Sequence, residues 1–311
     1  MNVETVYAGI IGGVVADALG VPFEFSTLDS MRENPATTMV GYGTHGQPEG
    51  TWSDDSSMTL ATVDSLIHGV DYEDMIQKFC EWLFEAKYTP HGEVFDNGCT
   101  TYSALSNYRH ANRSPLDCGL DGERDNGNGS LMRIMPIVLY ANAKDMPIGQ
   151  QIELIGDVSA LTHAHKFSKA SCNIYNFIAQ EILDNPDKDF KTVIVDGIDK
   201  SRKHYENEEY PCFDRLYGNL FSLDEDNLSS KGYVVYSLET ALYCCYHTGS
   251  YEHAVLKAVN FGGDTDTNAI IAGALAALYY GFNSIPGEWL DKIVGLDYIK
   301  ELCDDFYKSL K

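Results

Sequence analysis

Positive charge is scarce in this sequence: 22 Lys and Arg stand against 46 Asp and Glu in 311 residues, a formal net charge of −24. Such a field repels the phosphate backbone of nucleic acids and anionic lipid at long range, so neither nucleic acid nor a membrane surface is expected as a partner. No Lys or Arg precedes Arg32, and Asp17 interrupts the apolar start from Val6 to Leu19, so the segment lacks the pattern of a secretory signal. Uninterrupted apolar runs of the roughly 18 to 20 residues that a membrane span needs are also missing. The eight cysteines (Cys80, Cys99, Cys118, Cys172, Cys212, Cys244, Cys245 and Cys303) contain no Cys-x-x-Cys pair, which leaves neither a zinc framework nor a disulfide scaffold legible. Free thiols in a reducing compartment, and hence a cytoplasmic protein, are expected. No repeat and no low-complexity tract divides the chain, so residues 1–311 read as one compact, monomeric domain.

What is present is apolar material in quantity, 44% hydrophobic and 12% aromatic residues, enough for a large core. Its spacing is mostly helical, and the fold class expected is all-α, a compact multi-helix bundle. Val3 to Leu19 reads as a central first helix, in which Gly9, Gly12 and Gly13 are tolerable where a neighbouring helix approaches closely. Further helices are predicted at 56–68, 71–87, 98–108, 130–143, 149–162, 166–183, 189–206, 231–247, 250–260, 267–281 and 286–308. Loops are predicted at 29–50, 109–129 and 207–232. Thr267 to Tyr280 is apolar nearly all round, the pattern of a helix at the centre of a bundle, so whatever sits at its N-terminus is held rigidly.

Two acidic segments stand out. In Trp52-Ser53-Asp54-Asp55 a hydroxyl and two carboxylates precede an apolar-periodic helix, and alone they read equally well as an N-cap with acids in the first turn. In Gly262-Gly263-Asp264-Thr265-Asp266-Thr267 two glycines allow a sharp turn before three hard oxygen ligands, beside a helix where unneutralised acids would be costly to bury. Together the segments offer four carboxylates and two hydroxyls, a set suited to octahedral oxygen coordination of Mg²⁺ or Mn²⁺ rather than zinc. Bound cations would also reverse the field locally, as an anionic substrate on so acidic a protein requires. Asp17, inside an apolar helix, reads as an acceptor of backbone N–H groups, whereas Glu24, past the Gly20-Val21-Pro22 break, is free for chemistry. Asp125-Asn126-Gly127-Asn128-Gly129-Ser130 is a glycine-rich loop running into a helix, where backbone N–H groups could cradle a pyrophosphate. Asp96 and His163 each lie among polar groups before a helix.

With these segments in view, the chain resembles the ADP-ribosylglycohydrolase family from Ile10 to about Gly281. The resemblance implies an all-α fold with a binuclear site at helix N-termini, holding two divalent cations, Mg²⁺ first and Mn²⁺ as the alternative. It implies Ser53, Asp54, Asp55, Asp264, Asp266 and Thr267 as metal ligands, Ser53 standing where the family commonly has Thr. It further implies Asp96, the loop Asn126, Gly127, Asn128, Gly129 and Ser130, and His163 as substrate-facing, with Glu24 near metal and substrate. The expected reaction is hydrolysis of the N- or O-glycosidic bond between ADP-ribose and a protein side chain or small acceptor. Asp54 or Asp55 is a candidate base toward water, with Glu24 as the alternative acid or base. Two other readings use the same residues: a two-metal hydrolase of a nucleotide phosphoester, and a module that binds ADP-ribose without cleaving it.

Overall fold

The computed structural model describes residues 1–311 and contains fourteen α-helices. In chain order they are α1 (Val3–Gly20), α2 (Leu28–Glu33), α3 (Asp54–Leu66), α4 (Tyr72–Glu85), α5 (Cys99–Ala111), α6 (Met135–Ala143), α7 (Ile148–Ala160), α8 (Lys166–Asp184), α9 (Phe190–His204), α10 (Val234–Tyr246), α11 (Tyr251–Asn260), α12 (Thr265–Tyr280), α13 (Gly287–Leu290) and α14 (Leu296–Ser309). Strand pairing is limited to isolated bridges, so the fold is all-α as expected.

The bundle is organised around α1 and α12, the most extensively packed helix pair in the molecule. Small residues make that approach possible: a Cβ on Gly12 would lie 2.3 Å from the Cβ of Ala277, and one on Gly273 would lie 2.5 Å from that of Ala16. The α3, α6 and α14 helices pack on α1, and α8, α10 and α11 on α12. By length and composition α1 would suit a bilayer, yet every residue from Ala8 to Gly20 is buried within the bundle. Both central helices deliver their polar ends to one place, the C-terminus of α1 beside the N-terminus of α12.

Several expectations need correction. The helix predicted at 130–143 begins only at Met135, because Pro136 is tolerated in a first turn but not in a helix interior; residues 129–133 form turns instead. The predicted helix at 286–308 is two helices, separated where Gly295 takes a left-handed backbone (φ 71°). The predicted loop at 29–50 contains most of α2, started by Thr27, whose Oγ1 accepts from the Ser30 amide at 3.1 Å. The α3 and α12 helices each begin two residues earlier than predicted, which puts Asp54, Asp55 and Asp266 inside first turns.

Candidate active site

The site is assembled by the buried carboxylate of Asp17. It accepts from the Ser53 amide at 3.0 and 3.1 Å, from the Ser56 amide at 3.1 Å and from the Ser56 hydroxyl at 2.5 Å, the acceptor role expected of it. These bonds fasten the start of α3 to the last turn of α1. Ser53 caps α3, its Oγ accepting from the Asp55 amide at 3.3 Å.

The second acidic segment arrives from the other side. Gly262 and Gly263 both take left-handed backbones, φ 69° and 71°, in places where a Cβ would come within 2.5 Å of Ser26 O and Ser230 Oγ respectively. Asp266 is seated directly on Gly20, where a Cβ would stand 2.4 Å from the Asp266 Cα. The two segments meet: Thr267 Oγ1 donates to Asp55 Oδ1 at 3.3 Å.

Asp17, Asp55 and Asp266 present oxygens within 4.8 Å of one another, and so do Glu24, Asp264 and Asp266. Asp266 is therefore common to two adjacent oxygen clusters. Burial pushes the Asp54, Asp55 and Asp266 carboxyls well above the ordinary carboxylate range, and repulsion from the surrounding carboxylates, Asp17 and Asp264 among them, adds to it. Asp264 is raised, and Asp17 is raised to about 6, in both cases mainly by burial. No Lys or Arg forms an ion pair with any of the five. Asp55 Oδ2 is buried without a hydrogen-bond partner. Hard oxygen donors, crowded negative charge and an orphaned carboxylate oxygen fit divalent cations.

Glu24 lies at the edge of this cluster, just past the 3-10 turn Val21–Phe23. The Thr44 hydroxyl donates to its carbonyl at 2.7 Å, and the next residue is tied to the acidic loop by a 2.7 Å bond from the Phe25 amide to Gly263 O. Its carboxylate is hydrogen-bonded to His45 Nε2, and an Asp96 oxygen lies within 4.8 Å of both. Burial raises Glu24 to about 7, with the Asp96 and Asp264 charges adding and the His45 bond opposing. Sequence reasoning missed His45: it lies 21 residues from its partner, in a turn whose composition carries no sign of a site.

Across a cleft of about 260 Å³ lies the glycine-rich loop. It is stitched to the segment before α10 by bonds from Asn128 N to Gly232 O (3.1 Å) and from Val234 N to Asn126 O (3.0 Å). Glu24, Asp54, Asp55, Asp96, Gly127, Asn128, Gly129, His163, Asp264 and Thr267 all line this cleft. Ser53 and Asp266 lie buried beneath it. Asn128 reaches the acidic wall itself, its amide donating to Asp264 Oδ2 at 2.9 Å and to Ser237 Oγ at 2.8 Å. Two of the expected substrate-facing residues do not line the cleft. Asn126 Oδ1 accepts from Ser168 at 3.0 Å, and the fully buried Ser130 hydroxyl turns inward to Ser159 (2.9 Å) and Cys172 (3.5 Å). Because α6 starts at Met135, the loop does not open onto a helix N-terminus, and only its own turn amides are available to an anion. A second cavity, about 660 Å³, adjoins the cleft and shares Phe25, Gly232 and Asp264 with it.

Comparison with known proteins agrees with this geometry. The model of the ADP-ribosylglycohydrolase family matches residues 2–311. The ADP-ribosylarginine hydrolase Tri1 of Serratia proteamaculans is 26% identical over 98% of this chain and 80% of its own length. The ADP-ribosyl-[dinitrogen reductase] glycohydrolase of Rhodospirillum rubrum is 27% identical over 91% of this chain and 88% of its own length. Among solved structures, an ADP-ribosylglycohydrolase-related protein complex superposes with a TM-score of 0.83 at 26% identity, covering 99% of each chain.

Proposed function

The chain belongs to the ADP-ribosylglycohydrolase family, a family of glycosyl-bond hydrolases that remove ADP-ribose, and we propose that it works with two divalent cations, Mg²⁺ or alternatively Mn²⁺. Ser53, Asp54, Asp55, Asp264, Asp266 and Thr267 would hold them. The observation that carries this reading is the pair of oxygen clusters sharing Asp266, with Asp55 Oδ2 unpartnered and no Lys or Arg paired with any of their aspartates. Bound there, the cations would supply charge neutralisation, orientation of the ribose hydroxyls and electrostatic stabilisation of the transition state.

The remaining work falls to the side chains. Glu24 lines the cleft and exchanges its proton near neutral pH, so it suits the transfer between water and leaving group. Asp54 and Asp55 take second place for that role, since their oxygens serve the cations. In the reaction the water oxygen bonds to the anomeric carbon, the bond from that carbon to the acceptor breaks, and one water proton ends on the acceptor. The turn at Gly127-Asn128-Gly129 and the His163 ring face the cleft opposite the acids and suit the diphosphate. The relatives' names support an ADP-ribosylated protein as substrate, with arginine the first linkage to test, ahead of ADP-ribosylserine and small-molecule conjugates.

The test is Asp266→Asn, read by metal content and by release of ADP-ribose from ADP-ribosylarginine protein. Both should fall together, kcat/KM by roughly a hundredfold or more. Full activity at full metal occupancy would overturn the ligand assignment, and release of AMP or phosphate instead of ADP-ribose would favour a phosphoester hydrolase.

A further inference from the structure

Arg133 is a fully buried cation with no carboxylate to pair with. Its Nη2 donates to Val158 O at 3.1 Å and to Thr162 Oγ1 at 2.9 Å, while Nε and Nη1 have no partner. The guanidinium lies 4.5 Å from the centre of the Phe79 ring, a contact that offsets part of its desolvation. Burial lowers its pKa only to about 10, so it stays charged near neutral pH. A buried, unpaired charge is disfavoured unless it serves something nearby.

Hydrogen counting shows what it serves. The buried Thr162 hydroxyl has one hydrogen, and Arg133 occupies it as an acceptor. Thr162, just past the end of α7, makes no bond to Val158 O, the carbonyl four residues back to which a helical threonine would donate; that oxygen accepts from Arg133. The one other hydrogen-bond partner of Thr162 Oγ1 is His163 Nδ1, at 2.9 Å, so the hydroxyl donates to Nδ1 and the ring carries its proton on Nε2. The backbone of His163 is clamped as well: its amide donates to Ser159 O at 2.7 Å, and its carbonyl accepts from Ser159 Oγ at 2.9 Å. Nε2 makes no hydrogen bond within the protein and faces the glycine-rich loop, where a Cβ on Gly127 would stand 3.3 Å away.

We propose that Arg133 is a positioning residue which, through Thr162, holds His163 as the Nε2–H tautomer, a neutral donor aimed at an oxygen of the substrate's diphosphate. This rests on the reading of the cleft as an ADP-ribose site. Burial and the Arg133 charge also push the His163 pKa down to about 3, so the ring stays neutral across the working range and its donor is unchanged by pH.

The tautomer is read by ¹⁵N NMR of the full-length protein, and its consequence by calorimetric binding of ADP-ribose. His163 should show a protonated Nε2 and a bare Nδ1, unchanged between about pH 5 and pH 8. Thr162→Val should lose that preference and weaken ADP-ribose binding roughly tenfold, raising KM more than it lowers kcat, while Thr162→Ser, which keeps the hydroxyl, should bind like the native protein. A proton on Nδ1 in the native protein, or Thr162→Val binding undiminished, would overturn the proposal. Should Thr162→Val fold poorly, the native spectrum and the serine variant still decide it. Native protein that does not bind ADP-ribose would instead refute the reading of the cleft, with the tautomer separately decided by the spectrum.

Discussion

The two walls of the cleft carry opposite imbalances of charge. On one, Asp17, Asp54, Asp55, Asp264 and Asp266 crowd together without a Lys or Arg partner; behind the other, out of the cleft and bonded to Thr162, Arg133 is buried without an anion. Each arrangement alone is destabilising, since desolvated charge is costly unless neutralised. Cations would neutralise the first directly, whereas the second reaches an anionic substrate only through Thr162 and His163. A protein of net charge −24 would thereby offer a diphosphate a locally favourable field.

The contrast can be broken most severely from the acidic side. Gly20→Ala would force a Cβ to within 2.4 Å of the Asp266 backbone and so displace the carboxylate common to both oxygen clusters. The substitution touches no ligand side chain, yet kcat/KM should fall roughly a hundredfold, with a stability loss of about 1–3 kcal/mol in thermal unfolding. Native activity would mean that the position of Asp266 does not matter.

Removal of the proposed cations should expose the repulsion itself. Asp17 and Glu24 titrate at about 6 and about 7 in the folded chain, above their ordinary values, so the folded state binds protons more tightly than the unfolded one. The stability this contributes is complete below about pH 4 and is lost as pH rises through 6 to 7. The Tm gap between Mg²⁺-loaded and chelated protein should therefore be small near pH 5 and widen to about 5 °C or more near pH 8. A gap that narrows with rising pH would have the wrong sign.

The smallest effect is expected opposite. Arg133→Met removes an unpaired buried charge and should leave the Tm unchanged or up by about 1–3 °C, while ADP-ribose binding weakens. A loss of several degrees would show that the cation stabilises the fold in its own right.

Much of this was legible from residues alone. The apolar Thr267–Tyr280 stretch revealed a central helix, and the acids beside it revealed a site, because helical periodicity and the cost of buried charge are local properties of a sequence. The glycines of α1 indicated close neighbours, which are α12 at Gly12 and Gly13 and α6 at Gly9. What sequence could not supply is which loops approach one another: His45 meets Glu24, and Asn128 reaches Asp264, only through tertiary folding. Pro136 was a legible signal that the helix predicted from residue 130 should start later, and the inward turn of Ser130 follows from that shift.

The central measurement is a calorimetric titration of the chelated protein with Mg²⁺ or Mn²⁺, run beside an assay of ADP-ribose release. Two cations per chain, with release restored as they bind, is the expected result. Undiminished release from chelated protein that binds no cation would contradict the two-cation centre.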